Sequence, residues 1–138
     1  MKRYEQTPHT ADIAAKIYGT NMKELFENAA YAMYDMMGDI EGLKTDEVVR
    51  IQAEALDKES LLVSWLNELL FVSYSKTALF SEFNITSLEE NKLQAEVRGQ
   101  KIENNIKRLH TEIKAATYHD LKIQKTDKGY MVIVVFDV

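Results

Sequence analysis

The sequence predicts an α/β (α+β) fold, a two-layer sandwich in which two helices pack on a predominantly antiparallel or mixed sheet of about six to seven strands. Three observations carry this expectation: two segments with apolar residues at helical spacing, several short segments in which apolar and polar residues alternate, and a closing run, YMVIVVFDV, that is apolar almost throughout. The 138 residues fit one core, because domains commonly run to about 100 to 200 residues. No repeat or linker divides them, and the only proline is Pro8, so one domain over 1–138 is expected.

Ala11, Ile13, Ala15 and Ile17 alternate with Asp12, Ala14, Lys16 and Tyr18, the period of a half-buried strand that Gly19 ends. Asn21 followed three residues later by Glu24 resembles a capping box, and Leu25, Phe26, Ala29, Ala30, Met33 and Met37 then form one helical stripe that Gly38 stops. Met33, Tyr34, Met36 and Met37 are expected in the core. Val49, Ile51, Ala53 and Ala55 give a second strand leading to Asp57, a good helix N-cap. Leu61, Leu62, Trp65, Leu66, Leu69 and Leu70 mark the second helix, whose broad apolar face can bury against a sheet.

Strand-like segments follow near 79–87 and 92–98, and then EIKAATYHDLKIQ is expected as a further strand. The turn Asp127-Lys128-Gly129 suggests an antiparallel hairpin into the last strand. That strand lacks the alternation of a half-exposed one, so it is expected near the middle of the sheet, covered on both faces or nearly so.

Composition excludes several classes of function. With no cysteine there is no disulfide framework, thiolate zinc site or iron–sulfur centre, which suits a reducing compartment. The start MKRYEQTPHTAD has no apolar core of a signal peptide, and the stretch LLVSWLNELLFVSYSKTALF carries Asn67, Glu68 and Lys76, which a membrane span would not tolerate. A cytoplasmic protein without membrane contact is expected. The net charge of -5 argues against gripping nucleic acid unaided, since phosphate affinity comes chiefly from clustered Lys and Arg. Neither a phosphate loop nor a nucleophile with an adjacent base is present: the glycines are isolated at element ends, and Ser60, Ser64 and Ser73 ride on the second helix.

One pair of acids stands out. Asp137 interrupts the apolar run from Met131 through Val138, and if the first strand lies beside the last, Asp12 joins it. Clustered carboxylates repel unless protonated, hydrogen-bonded or bridged by a cation, and all-oxygen sets prefer calcium, magnesium or manganese. Spacing alone also allows the last residues to fray into water. The histidines His9, His110 and His119 lack the short spacing of a zinc motif. His119 is expected to pack or hydrogen-bond on a strand. The one locally basic region, Lys101, Lys107, Arg108, His110 and Lys114, fits either a solvated loop or a surface for an acidic or RNA-bearing partner.

Four blocks, in order, resemble the archease family over nearly the whole chain: HTADIAAKIYG at 9–19, WLNELL at 65–70, TEIKAATYHDLKI at 111–123 and VVFDV at 134–138. WLNELL alone is ordinary helix; HTAD with EIKAATYH and a closing FDV is specific. The resemblance implies a metal-binding protein cofactor, not itself an enzyme, that activates an RtcB-type RNA ligase of tRNA splicing or RNA repair by promoting its guanylylation and multiple turnover. Carried over by position, it implies metal ligation by the side chains of Asp12 and Asp137 and by a backbone or terminal oxygen of Val138. Calcium is the expected ion, with magnesium or manganese as alternatives. The ligase is the expected partner, RNA being reached only through it, and His9, His110 and Lys114 are candidates for facing that partner. A chain lengthened past Val138 is expected to activate less well. The competing readings are an independent metal-dependent hydrolase, which would turn over without a ligase, and a chaperone-like interaction module, which would expose Trp65 and Leu69.

Overall fold

The computed structural model describes residues 2–7, 12–102 and 109–138. Its elements run β1 (Tyr4–Thr7), β2 (Ile13–Gly19), α1 (Met22–Met37), β3 (Glu47–Glu54), α2 (Lys58–Lys76), β4 (Ala78–Leu88), β5 (Lys92–Lys101), β6 (Ala115–Ala116), β7 (Gln124–Thr126) and β8 (Gly129–Asp137). Two helices pack on antiparallel sheets, as the periodicities predict. The strands divide between two sheets, however. One has the order β1-β2-β8-β6 with β7 also paired to β8, and the other has the order β3-β5-β4. Every pairing among the named strands is antiparallel.

Local chemistry sets both helices. At α1, the Asn21 side chain accepts from the Glu24 N–H at 2.8 Å, while the Glu24 carboxylate reaches back to the Thr20 N–H at 2.9 Å, one residue beyond the usual reciprocal partner. Gly38 closes the helix by donating its N–H to the Tyr34 carbonyl. At α2, Asp57 accepts from the Ser60 N–H at 2.8 Å, and Thr77 in a left-handed conformation ends the helix.

α1 packs on β2 and β4, and α2 on β3, β4 and β6, so both helices lie against both sheets. This placement explains why α1 buries Ala32, Tyr34 and Met36 as well as its predicted stripe. The Trp65 indole donates to the Phe26 carbonyl at 3.0 Å, and the Tyr34 hydroxyl bonds the Leu69 carbonyl and Ser73 Oγ, so the polar atoms buried between the helices are paired. Trp65 and Leu69 are fully buried, so these two side chains do not form the exposed surface that a chaperone-like module was expected to show, although Phe71 and Tyr74 of the same helix are exposed.

Three features depart from the expectation. β1 forms an edge strand ahead of Pro8, where half-exposed YEQT carries little pattern. The segment EIKAATYHDLKIQ supplies only β6 and the start of β7, because Asp120 takes a positive φ and the Leu121 N–H closes a turn on the Tyr118 carbonyl. His119 is accordingly exposed in that turn, its ring 3.4 Å from the Asp120 carboxylate, and not packed on a strand. β8 does lie in the middle of its sheet, and Val132, Val134 and Phe136 face the core, yet Ile133 is 40% exposed, so the outer face is partly open. No helix is long and apolar enough to cross a membrane among the described residues.

Candidate metal centre

The antiparallel pairing of β2 with β8 brings the start of β2 beside the end of β8. Ile13 stands opposite Phe136, Ala15 opposite Val134 and Ile17 opposite Val132, all directed to the core. The ladder ends with the Ile13–Phe136 pair, and Asp12 and Asp137 are the residues that adjoin it, Asp12 just before β2 and Asp137 at the end of β8. Continued by one residue, the alternation of the pair would put both on the face of Ala14 and Val135, away from Ile13 and Phe136. Asp12 is half-buried in the bend before β2, and Asp137 is exposed at the last residue of β8.

The other flank of Asp137 is β6. Ala115 pairs with Asp137 and Ala116 with Phe136, and the Lys114 N–H donates to the Asp137 carbonyl at 2.8 Å. So short a strand is held from its far side by α2. Asn67 uses both ends of its amide, accepting from the Ala116 N–H at 2.8 Å and donating to the Ala116 carbonyl at 3.1 Å, as a neighbouring strand would. Thr117 adds bonds from its N–H and its hydroxyl to the Val135 carbonyl. The Tyr74 hydroxyl bonds the Ile113 carbonyl, and burial pushes that phenol above its ordinary pKa. The main chain around Asp137 is therefore fixed on both sides while its carboxylate stays open to solvent.

Chemically, this corner offers oxygen donors only: two carboxylates and the main-chain oxygen of Val138, itself 41% exposed. Such a set suits a hard cation that takes six to eight oxygens, with water or partner groups completing the shell. Among the described residues no three His, Cys, Asp or Glu side chains gather closely enough to hold a metal unaided, so the main-chain oxygen and outside ligands are needed.

The remaining sequence candidates scatter. His9, Lys107 and Arg108 lie outside the described residues. His110 is tied to Asp39 beyond α1, Nε2 to Oδ1 2.7 Å, and its N–H donates to the Met37 carbonyl. Lys114 adjoins Asp137 and has an exposed side chain. Asn67 and Thr117 were not singled out by sequence: Asn67 sits in ordinary helix sequence, and only the partner strand reveals its role. A polar residue on the apolar stripe side of WLNELL was the available signal.

The Archease protein family (MTH1598/TM1083) matches residues 4–138. A protein archease of Archaeoglobus fulgidus is 39% identical, with 99% of each chain covered. The chain belongs to the archease family. A protein archease of Methanosarcina barkeri is 38% identical over 99% of this chain and 97% of its own. The solution structure of Methanobacterium thermoautotrophicum protein 1598 superposes with a TM-score of 0.83 at 31% identity, covering all of both chains. The crystal structure of an archease from Thermotoga maritima, described as a possible chaperone, gives a TM-score of 0.66 at 28% identity, covering 100% of this chain and 98% of its own. The four blocks that suggested the family thus lie within a match spanning nearly the whole chain.

Proposed function

We propose that the chain is a metal-binding accessory protein that activates an RtcB-type RNA ligase, promoting its guanylylation and turnover without performing chemistry itself. The observation that carries this reading is the Ile13–Phe136 pair that closes the β2–β8 ladder, since Asp12 and Asp137 are the residues next to it and Val138 follows. Membership of the archease family supports it, and so does the donor set, which suits calcium, or magnesium or manganese in its place.

Asp12 and Asp137 would hold the ion with a main-chain oxygen of Val138. A bound divalent cation supplies a positive charge able to polarise phosphoryl oxygens. The rest is done by the chain: β6, Asn67 and Thr117 hold the Asp137 main chain in place, and the exposure of Asp137 and Val138 leaves the corner accessible to a partner. Lys114 flanks the carboxylates and is placed to meet an acidic or phosphate group on the ligase. RNA reaches this corner on the ligase. The cytoplasm, where such RNA processing proceeds, is the compartment this reading implies.

The test is guanylylation of purified ligase with and without the chain, using wild type, Asp12→Ala and Asp137→Ala. Wild type is expected to stimulate and each variant to lose most of the stimulation. Undiminished stimulation by both variants would remove the metal corner from the mechanism, and hydrolysis by the chain alone would favour an independent enzyme.

A further inference from the structure

We propose that a second site, a cleft on the outer face of the five-stranded sheet where Lys2, Lys16 and Lys128 surround Tyr18 and Met131, binds single-stranded RNA. The cleft has a volume of about 510 Å³ and lies toward the opposite end of β2 and β8 from Asp12 and Asp137. Two cross-strand pairs line it, Glu5 with Lys16 and Tyr18 with Met131, and the same rows continue beyond it to Ile133 and Gln124. Opposed neighbours in such rows project to one face, so the Tyr18 ring and the Met131 thioether form an apolar platform that Ile133, 40% exposed, extends.

Charge around the platform selects the ligand. Glu5 is already satisfied by Lys2 at 2.6 Å and by the Tyr18 hydroxyl at 3.1 Å, and the hydrogen bond from Lys2 is the first cause that holds its carboxyl below the ordinary range. Lys16 stands across the strands from Glu5 and adds to holding its carboxyl down, but among the described residues neither Lys16 nor Lys128 makes an ion pair at contact distance, and Lys16 lies 5.7 Å from the centre of the Tyr18 ring. The one further carboxylate at the rim, Asp127, does not offset both amines. Lysine ammonium groups bind phosphates as point charges, and an aromatic ring accepts any base by stacking, the combination by which open sheet faces take single strands. Duplex RNA offers no free base to the platform. The net charge of -5 is a property of the whole chain; a local cluster of amines on an open face can still hold a short strand, weakly and with strong salt dependence. The choice of RNA among polyanions rests on the ligase-activator reading; the cleft would hold part of the substrate while the metal corner meets the ligase.

The experiment is fluorescence anisotropy of a labelled oligouridine of about ten nucleotides with the full chain at low salt, without ligase. Wild type is expected to bind. Lys16→Ala with Lys128→Ala is expected to weaken binding at least about ten-fold and to flatten the slope of log affinity against log salt by about 1.4, two phosphate contacts at roughly 0.7 each. Tyr18→Leu is expected to weaken it about ten-fold and leave the slope unchanged. Lys92→Ala with Lys101→Ala, on the other sheet, should change nothing. Absence of binding by wild type, equal loss in the Lys92/Lys101 variant, or equally tight binding of duplex RNA or polyphosphate would overturn the proposal. Amide shift changes in wild type on titration keep the question open to decision if a variant misfolds: they must fall on 16–18 and 128–133, and changes elsewhere overturn it. Ligase stimulation by Asp12→Ala is read in a separate assay, so failure of this site and failure of the activator reading give different results.

Discussion

Asn67→Ala removes the clamp that holds the strand beside Asp137. Two hydrogen bonds, at 2.8 and 3.1 Å, join the Asn67 amide to the N–H and carbonyl of Ala116. Ala116 is only 4% exposed, so neither backbone group gains water easily when the amide is lost. At about 1 to 2 kcal/mol for each buried group left unsatisfied, the cost is about 2 to 4 kcal/mol. For a chain of this length that is a fall in Tm of roughly 10 °C, measured by circular dichroism. Because β6 pairs Ala115 with Asp137, amide exchange at Ala116 should accelerate in the variant, and calcium affinity should fall although no proposed ligand has changed. Asn67→Asp, which keeps the acceptor and loses the donor, should fall between. A loss below about 1 kcal/mol with unchanged exchange would refute the claim that α2 fixes this strand.

Other substitutions probe the remaining supports. Tyr34→Phe strips a shared hydroxyl from Ser73 and the Leu69 carbonyl and should cost about 1 to 2 kcal/mol in denaturant unfolding. Gly99→Ala would place its Cβ 2.0 Å from the Leu79 carbonyl oxygen and 2.6 Å from the Phe80 Cα, so β4 and β5 must part; loss of about 3 kcal/mol or more, or failure to fold, is expected in a thermal melt. Asp57 titrates low in the folded chain because the Ser60 backbone N–H bonds its carboxylate. The unfolded chain therefore takes up this proton more readily, so the cap's contribution is present above the ordinary Asp pKa of about 4 and is lost as pH falls through the lower folded value. Asp57→Asn, which caps without titrating, should show a weaker acid dependence of unfolding; an unchanged acid limb would contradict the assignment.

Both helices were legible in the sequence because their apolar stripes repeat over several turns and their caps, Asn21 and Asp57, are side chains that bond locally. β8 was placed in the middle of its sheet by its lack of alternation, and its hairpin by Asp127-Lys128-Gly129, which the Thr126–Gly129 pairing bears out. What escaped depends on contacts between distant segments. Nothing in YEQT announces an edge strand, and nothing in the alternation says that the strands of the described residues split between two sheets rather than joining in one. EIKAATYHDLKIQ reads as a strand because its alternation is real over a few residues, yet the turn at Asp120 and the Asn67 clamp decide that only Ala115–Ala116 pair there.

The candidate metal corner divides in the same way. Asp12 and Asp137 were singled out, since an acid within an apolar run is visible, and the β2–β8 ladder ends at Ile13–Phe136, the pair next to them. Asn67 and Thr117, which steady that corner, were invisible because their partners lie 49 and 18 residues away. The cleft at Tyr18 was hidden for the same reason: Lys2, Lys16 and Lys128 are far apart in the chain and meet only through the pairing of β1, β2 and β8.

The central claim is that Asp12 and Asp137 act as one site in activating the ligase. A double-mutant cycle on the rate of ligase guanylylation, comparing Asp12→Asn, Asp137→Asn and the pair with wild type, tests it most directly. Removal of either ligand of one ion abolishes the same function, so the double variant is predicted to lose no more stimulation than the worse single one. Losses that add in free energy would show two independent contributions and contradict a shared metal site.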